Sequence, residues 1–260
     1  MATTTPPAPG GRTVRGSSRA VLRSEARLFG REPGALFWIV VFPSLLLTVL
    51  GLVPAFREPD ASLDGLRVID LYVHVAVLLS MTVAGVQALP TVLVGYRERG
   101  ILRRLSATPV GPRALIGAQL VLHGAAVLAS IVLAVAVARL AFGVPLPEQP
   151  FGYALTVVLT AFAGTAMGGT IAAVSRTAKT SQTIGTVVFF PAMFSTGVWI
   201  PVQTMPDTLQ RVVELTPFGA ASQALYESAS GGLPQWWLLL VTALWAVTLF
   251  AVAVRWFRWE

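Results

Sequence analysis

LYVHVAVLLSMTVAGVQALPTVLVGY, residues 71–96, holds no charged side chain over 26 consecutive positions. A helix needs about 20 apolar residues, at ~1.5 Å each, to cross the ~30 Å hydrocarbon core of a bilayer. This stretch is long enough. Working outward, further charge-free stretches lie at 33–56, 114–138, 149–175, 180–206 and 228–254. Helices of globular domains run roughly 8–20 residues, so six gaps of 24–27 residues in a chain of 260 argue against a soluble bundle. The expected fold is an all-α membrane protein with six transmembrane helices, over about 35–55, 70–95, 114–139, 151–175, 182–200 and 235–255.

Composition agrees. The chain is 55% hydrophobic and 12% charged, about half the usual charged share of roughly 25%, with a mean hydropathy of +0.71. There is no cysteine, which excludes disulfides, thiolate metal sites and a cysteine nucleophile. With only two histidines as well, no structural zinc site and no other metal is expected.

Net charge is +7, which alone could suggest nucleic acid. The placement of the charges points elsewhere. Arg12, Arg15, Arg19, Arg23, Arg27 and Arg31 precede the first span, and Arg97, Arg99, Arg103, Arg104 and Arg113 join the second to the third. Arg176 and Lys179 join the fourth to the fifth, and Arg255 and Arg258 follow the sixth. Fifteen of nineteen basic residues therefore share one side. The other side has four arginines accompanied by Glu58, Asp60, Asp64, Glu148, Asp207, Glu214 and Glu227. Basic loops stay in the cytoplasm, so both termini are expected inside, the bilayer accounts for the high isoelectric point, and no nucleic-acid partner is expected.

Residues 1–18, rich in Thr, Pro, Gly and Ser, read as a disordered cytoplasmic tail. They are no cleavable signal, because the first apolar run starts only near Ala35 and continues too long. Residues 19–31 read as an amphipathic interfacial helix with Val21, Leu22, Leu28 and Phe29 on one face and arginines on the rest. Between spans five and six, Pro206 and Asp207 start a short external helix and Pro217 ends it. This segment is expected to dip into the outer leaflet, with Pro201, Pro206 and Pro217 marking an external gate.

Residues 96–112, YRERGILRRLSATPVGP, form the most patterned loop. Ile101, Leu102 and Leu105 have helical spacing among a dense set of charges, and such a short helix suits docking into a groove of a soluble partner. A plain solvated basic loop is the alternative reading.

These residues also carry a resemblance. Glu98-Arg99-Gly100-Ile101-Leu102-Arg103-Arg104-Leu105, then Ala107-Thr108-Pro109-Val110, resemble the signature of the type-2 ABC exporter permeases, with Ile101 where that family usually has Thr. Phe29-Gly30-Arg31-Glu32-Pro33, and Pro43 in the first span, are similar to the drug-export branch, the daunorubicin-resistance-like membrane subunits. Ser195-Thr196-Gly197-Val198 with the three later prolines resembles the family's external region. The resemblance runs from the interfacial helix to the sixth span. It implies that residues 96–112 hold the cytoplasmic coupling helix, with Arg97, Glu98, Arg99, Gly100, Leu102, Arg103, Arg104, Leu105, Thr108 and Pro109 meeting an ATP-binding subunit. It further implies two copies of that subunit binding ATP and Mg, a second permease copy as a homodimer, and the bacterial inner membrane. The cargo implied is a hydrophobic small molecule, drug or antibiotic, or a lipid, with a lipid-linked glycan as the alternative.

No Gly-x-x-x-x-Gly-Lys-Ser/Thr occurs; the single lysine, Lys179, sits in SRTAKTS. The ATPase is therefore expected on another polypeptide, and no cofactor on this one. Among span residues, Gln87, Gln119 and His123 stand at neighbouring depths. They serve either as hydrogen-bonding glue between spans two and three or as the lining of a substrate path. Asp70 and His74 read as an interfacial pair. Gly164, Gly168 and Gly169 read as a close-packing face, inside the chain or across a dimer.

No catalytic residue is expected. An intramembrane lipid-modifying enzyme would need acidic groups inside the spans. A serine protease built on His123 and Ser130 would need them closer than their roughly 10 Å separation along one helix. A secondary transporter would need a buried charge for ion coupling.

Overall fold

The computed structural model describes residues 14–60, 65–108 and 111–257, with side chains from residue 18 onward. The described residues are helical and contain no strand. Helix α1 spans Val14–Phe29, α2 Pro33–Gly51, α3 Val68–Glu98, α4 Ile101–Ser106, α5 Gly111–Phe142, α6 Pro150–Val174, α7 Ala178–Thr196, α8 Asp207–Glu214, α9 Pro217–Ala229 and α10 Trp236–Trp256. Most of the tail expected over 1–18 lies outside the described residues, and its last residues belong to α1, which begins ahead of Arg19.

Among the described residues, five helices are long and apolar enough to cross a membrane: α2, α3, α5, α6 and α10. The remaining expected span, α7, falls short on composition because Lys179, Thr180, Ser181, Gln182, Thr183 and Thr186 fill its first turns. Packing shows how far it reaches. It runs antiparallel to α3, tied to it from the Ala178 amide on Glu98 Oε2 (3.0 Å) to the Val198 carbonyl on the Tyr72 hydroxyl (3.3 Å). Its 19 residues make about 28 Å of helix.

Helix α3 is the central post. In its most apolar window 78% of residues are buried, against 17–39% in the other four. Its middle is a widened π turn, Val83–Ala88, just before Pro90. A proline has no amide to donate and its ring collides with the carbonyl four residues back, so a widened turn relieves the clash. The same device, Phe37–Val41, precedes Pro43 in α2. Glycines let neighbours close on the α3 turn. A Cβ on Gly85 would sit 2.5 Å from the Gly164 carbonyl of α6, one on Gly168 would overlap the Gly85 carbonyl, and one on Gly185 of α7 would sit 2.9 Å from the Val86 carbonyl. The expected small-residue face of α6 thus works inside the chain: Gly164 and Gly168 meet α3, while Gly169 meets Ala253 of α10.

The segment after α7 differs from expectation. Pro217 does not end a helix; it begins α9, whose N-cap Thr216 accepts from the Gly219 amide at 3.1 Å. Helices α8 and α9 form a re-entrant hairpin. Its turn reaches mid-depth, where Trp245 Nε1, halfway along α10, donates to the Leu215 carbonyl at 2.8 Å and Phe218 packs over Gly164. Helix α9 is buried on most of its surface among α3, α6, α7 and α10, as a non-spanning backbone at membrane depth requires. Beside this turn lies buried Glu214, hydrogen-bonded by Gln210 at 2.9 Å. The charge-free spans hold no acidic group; Glu214 belongs to the segment between them and is buried only after folding.

The triple crossing at the α3 π turn predicts the sensitivity of the fold. Gly168→Val should lower the unfolding midpoint of the purified protein, at a cost of ~1–3 kcal/mol from overpacking. Gly124→Ala, where a Cβ meets nothing within 4 Å, should leave that midpoint unchanged or raise it. Thermal unfolding in detergent checks both.

Candidate functional site

Two features concentrate the predicted site residues: the arginine-rich end around α4, and a cavity beside α2.

At the basic end, Gly100 sets the geometry. Its φ of +66° is left-handed, which only glycine adopts without strain. It ends α3 and turns the chain sharply into α4. Leu102 is fully buried and Ile101 and Leu105 are half-buried, so the apolar edge of α4 faces the bundle. The protein's own α3 and α5 pack against this edge. What α4 leaves outside is polar. Arg99, Arg103, Arg104 and Thr108 are exposed, with Arg104 Nη2 donating to the Arg99 carbonyl at 2.8 Å. Thr108 Oγ1 donates to the Leu105 carbonyl at 2.8 Å and closes the helix. Pro109 lies outside the described residues.

Arg97 and Glu98 are engaged inside the chain. Arg97 donates from Nη1 to the Ala172 carbonyl at 3.3 Å and from Nη2 to the Ser175 carbonyl, at the C-terminal end of α6. Glu98 Oε2 accepts the Ala178 amide at the start of α7. Each charge matches the helix end that it meets: a cation at the negative pole, an anion at the positive one. Two successive residues of α3 thereby clamp the turn between α6 and α7.

A third connection escaped the sequence reading. Glu25 of α1 is buried. Its Oε2 accepts the Tyr96 hydroxyl at 2.5 Å and Gln119 Nε2 at 2.7 Å, and Gln119 also donates to the Tyr96 hydroxyl at 3.0 Å. This joins α1, the basic end of α3, and α5. Glu25 occupies the packed face of α1 beside Val21, Leu22 and Phe29, whereas Leu28, expected there, is 50% exposed. The available signal was a lone Glu among arginines, at helical spacing from Val21, Leu22 and Phe29. Its partners lie 71 and 94 residues away.

The cavity, about 600 Å³, lies between the end of α1, α2, α3, α5 and α7. Gln87 and His123 both line it, and Gln119 does not, being held by Glu25 and Tyr96. Phe29, Trp38, Phe42 and Phe189 supply aromatic walls, and Glu32 stands on the side nearest α1. A volume of this size suits a small ligand.

The expected gate prolines sit at different places. Pro201 is buried ahead of a short 3-10 turn, Pro206 is exposed at the start of α8, and Pro217 is buried at mid-depth. Asp70 and His74 make their hydrogen bonds to other residues. Asp70 binds Arg67 (2.7 Å), which also donates to the Phe142 carbonyl, while His74 Nδ1 lies 3.3 Å from the Tyr153 hydroxyl.

Residues 17–229 match the family described as ABC-2 type transporter. Over 160 residues the chain is 26% identical to ABC transporter G family member 20 of Dictyostelium discoideum, a match that covers 60% of this chain and 22% of that protein. The chain thus spans about a fifth of that relative's length.

The Glu25–Tyr96–Gln119 connection gives a direct test. Tyr96→Phe leaves the buried carboxylate one donor short and should destabilise the protein by about 1–3 kcal/mol. The effects of Tyr96→Phe and Gln119→Leu should be non-additive in a double-mutant cycle of thermal unfolding.

Proposed function

The chain belongs to the ABC-2 type transporter membrane family, and from that premise we propose that it is the permease subunit of an ATP-driven exporter, worked by a separate ATP-binding subunit at its basic end. The observation that carries this reading is the clamp at residues 97–98. A push on α4 reaches α3 directly, and through Arg97 and Glu98 it reaches the facing ends of α6 and α7 at once. One docking event would then move three helices as a unit. The exposed Arg99, Arg103, Arg104 and Thr108 supply the contact surface, while Leu102 anchors α4 to the bundle so that the push is transmitted rather than absorbed.

In this reading the basic end faces the cytoplasm of a bacterial cell, in keeping with its arginines. Two copies of the permease meet two ATP-binding subunits, which hold ATP and Mg. The cargo is a hydrophobic small molecule. Support comes from the cavity beside α2, whose volume of about 600 Å³ and aromatic walls suit such a molecule better than a lipid-linked glycan. The buried α9 closes the opposite end, and its hairpin is the element that would have to move for release.

The test uses an ABC ATP-binding protein that co-purifies with the tagged permease. Arg103→Glu with Arg104→Glu should abolish its co-purification and ATP-dependent transport into inverted vesicles, with no change in the permease's unfolding midpoint. Glu98→Ala should lower the midpoint as well, because it removes the acceptor of the first amide of α7 and so the tie between α3 and α7. Transport that continues without any ATPase would sink the exporter reading.

A further inference from the structure

Helices α5 and α6 follow each other in the chain, yet they scarcely touch. A cleft runs between them, with α3 as its floor. It holds two cavities, of about 540 and 130 Å³, which adjoin through Leu89, Leu120, Val158, Ala161 and Thr165. Phe250 of α10, and Phe257 just after that helix, close the larger one on its third side. The floor is buried, with Leu89 and Leu93 only 1% and 3% exposed. The rims are open: Leu120 is 40% exposed and Val254 64%. Gly124 borders the smaller cavity, and a Cβ there would meet nothing within 4 Å. Glycines elsewhere in the bundle bring helices together, whereas this one faces open space.

The length and charge of the cleft describe its occupant. Gly124 stands eleven residues along α5 from Arg113, about 16 Å of helix. That is close to half of the ~30 Å hydrocarbon core, so the cleft takes an apolar chain from one leaflet, the one at the basic end. Its mouth there is cationic. Ile116 of α5 packs against the cluster that holds Leu93 of α3. One turn nearer the basic end, the same two helices carry Arg113 and Arg97. Arg113 is exposed, shares a stripe of α5 with Leu120, and forms no ion pair among the described residues. Arg97 lies 5.9 Å over the Phe257 ring that closes the larger cavity. Its two hydrogen bonds leave further N–H donors unused. Helices α5, α6 and α10 carry no acidic residue to neutralise this mouth.

We propose that the cleft is a binding site for an anionic phospholipid of the leaflet at the basic end. One acyl chain lies between α5 and α6 on the α3 floor, and the phosphate sits between Arg113 and Arg97. A zwitterionic lipid fits the same groove but brings its own cation toward two arginines, so it binds less tightly. The larger part of the cleft shares no lining residue with the cavity beside α2, so the site is independent of any cargo held there. The lipid phosphate meets the same Arg97 that ties α3 to the end of α6.

The experiment delipidates the full chain in detergent and titrates it with dioleoylphosphatidylglycerol or dioleoylphosphatidylcholine. Native mass spectrometry reads the affinity of the first lipid bound. Wild type should bind phosphatidylglycerol about tenfold more tightly, the effect of one charge-assisted hydrogen bond. Arg113→Gln should remove most of that preference. Arg255→Gln should keep it, because helical spacing turns position 255 away from Ala253 and Val254, which line the cleft. Gly124→Leu fills the inner end, so it should weaken both lipids and leave their ratio unchanged. Equal wild-type affinities overturn the proposal, and that comparison needs no variant to fold. Equal losses of preference in Arg113→Gln and Arg255→Gln overturn it too, because they mark general attraction to a basic surface. Unchanged binding in Gly124→Leu puts the acyl chain elsewhere and also overturns it. The chain has no cysteine, so Leu120→Cys supplies a unique thiol. An oxidative cross-link between two such copies in the membrane would mean that a second copy covers the cleft, and the lipid site would fall.

Discussion

The structure depends on a close approach of backbones at the middle of α3. Pro90 removes an amide from that helix, and the turn before it widens. Gly85, Gly164, Gly168 and Gly185 then let α6 and α7 press against the widened turn with no side chain between them. In a bilayer, hydrophobic burial cannot hold helices together, because lipid is as apolar as leucine. Close van der Waals contact and interhelical hydrogen bonds must do so. The glycines supply the first at mid-depth. The second is supplied at the ends, by Arg97 and Glu98 at one and by Arg67 and Asp70 at the other.

The same requirement shapes the re-entrant hairpin. A chain that enters the bundle and turns back leaves amides and carbonyls where water is scarce. Here Thr216 caps one helix, Trp245 takes a carbonyl at the turn, and Gln149 donates to the Ser228 carbonyl near the upper end of α9. Helix α9 is therefore part of the bundle's interior, while α8 keeps only Val213 and Glu214 buried.

At the basic end the arginines divide into two kinds. Arg19, Arg23 and Arg27 of α1 and Arg31 just after it, with Arg99, Arg103 and Arg104, stay exposed. Arg97 turns inward and closes a helix end. The exposed set has the character of a contact surface, while the inward residues give that surface leverage on helices far from it in sequence. The cavity lies directly against this machinery: Phe29 and Glu32 border it from the α1 end, four and seven residues beyond Glu25.

The sequence by itself determined that the chain is an all-α membrane protein of long apolar helices and which of its loops are basic. A charge inside hydrocarbon costs so much that its absence over 24–27 residues is a local, readable signal. It also marked α4 through the spacing of Ile101, Leu102 and Leu105, and the close-packing glycines of α6. What it left open was the destination of each polar group. That Arg97 closes α6, that Glu25 rather than Gln87 holds Gln119, that the apolar edge of α4 faces inward and that Pro217 begins a helix at mid-depth were decided by the tertiary structure alone. Each depends on which helix ends become neighbours, over separations of 71–94 residues in the Glu25 connection. Hydrogen bonding acts at about 3 Å in space and leaves no periodic mark along the chain.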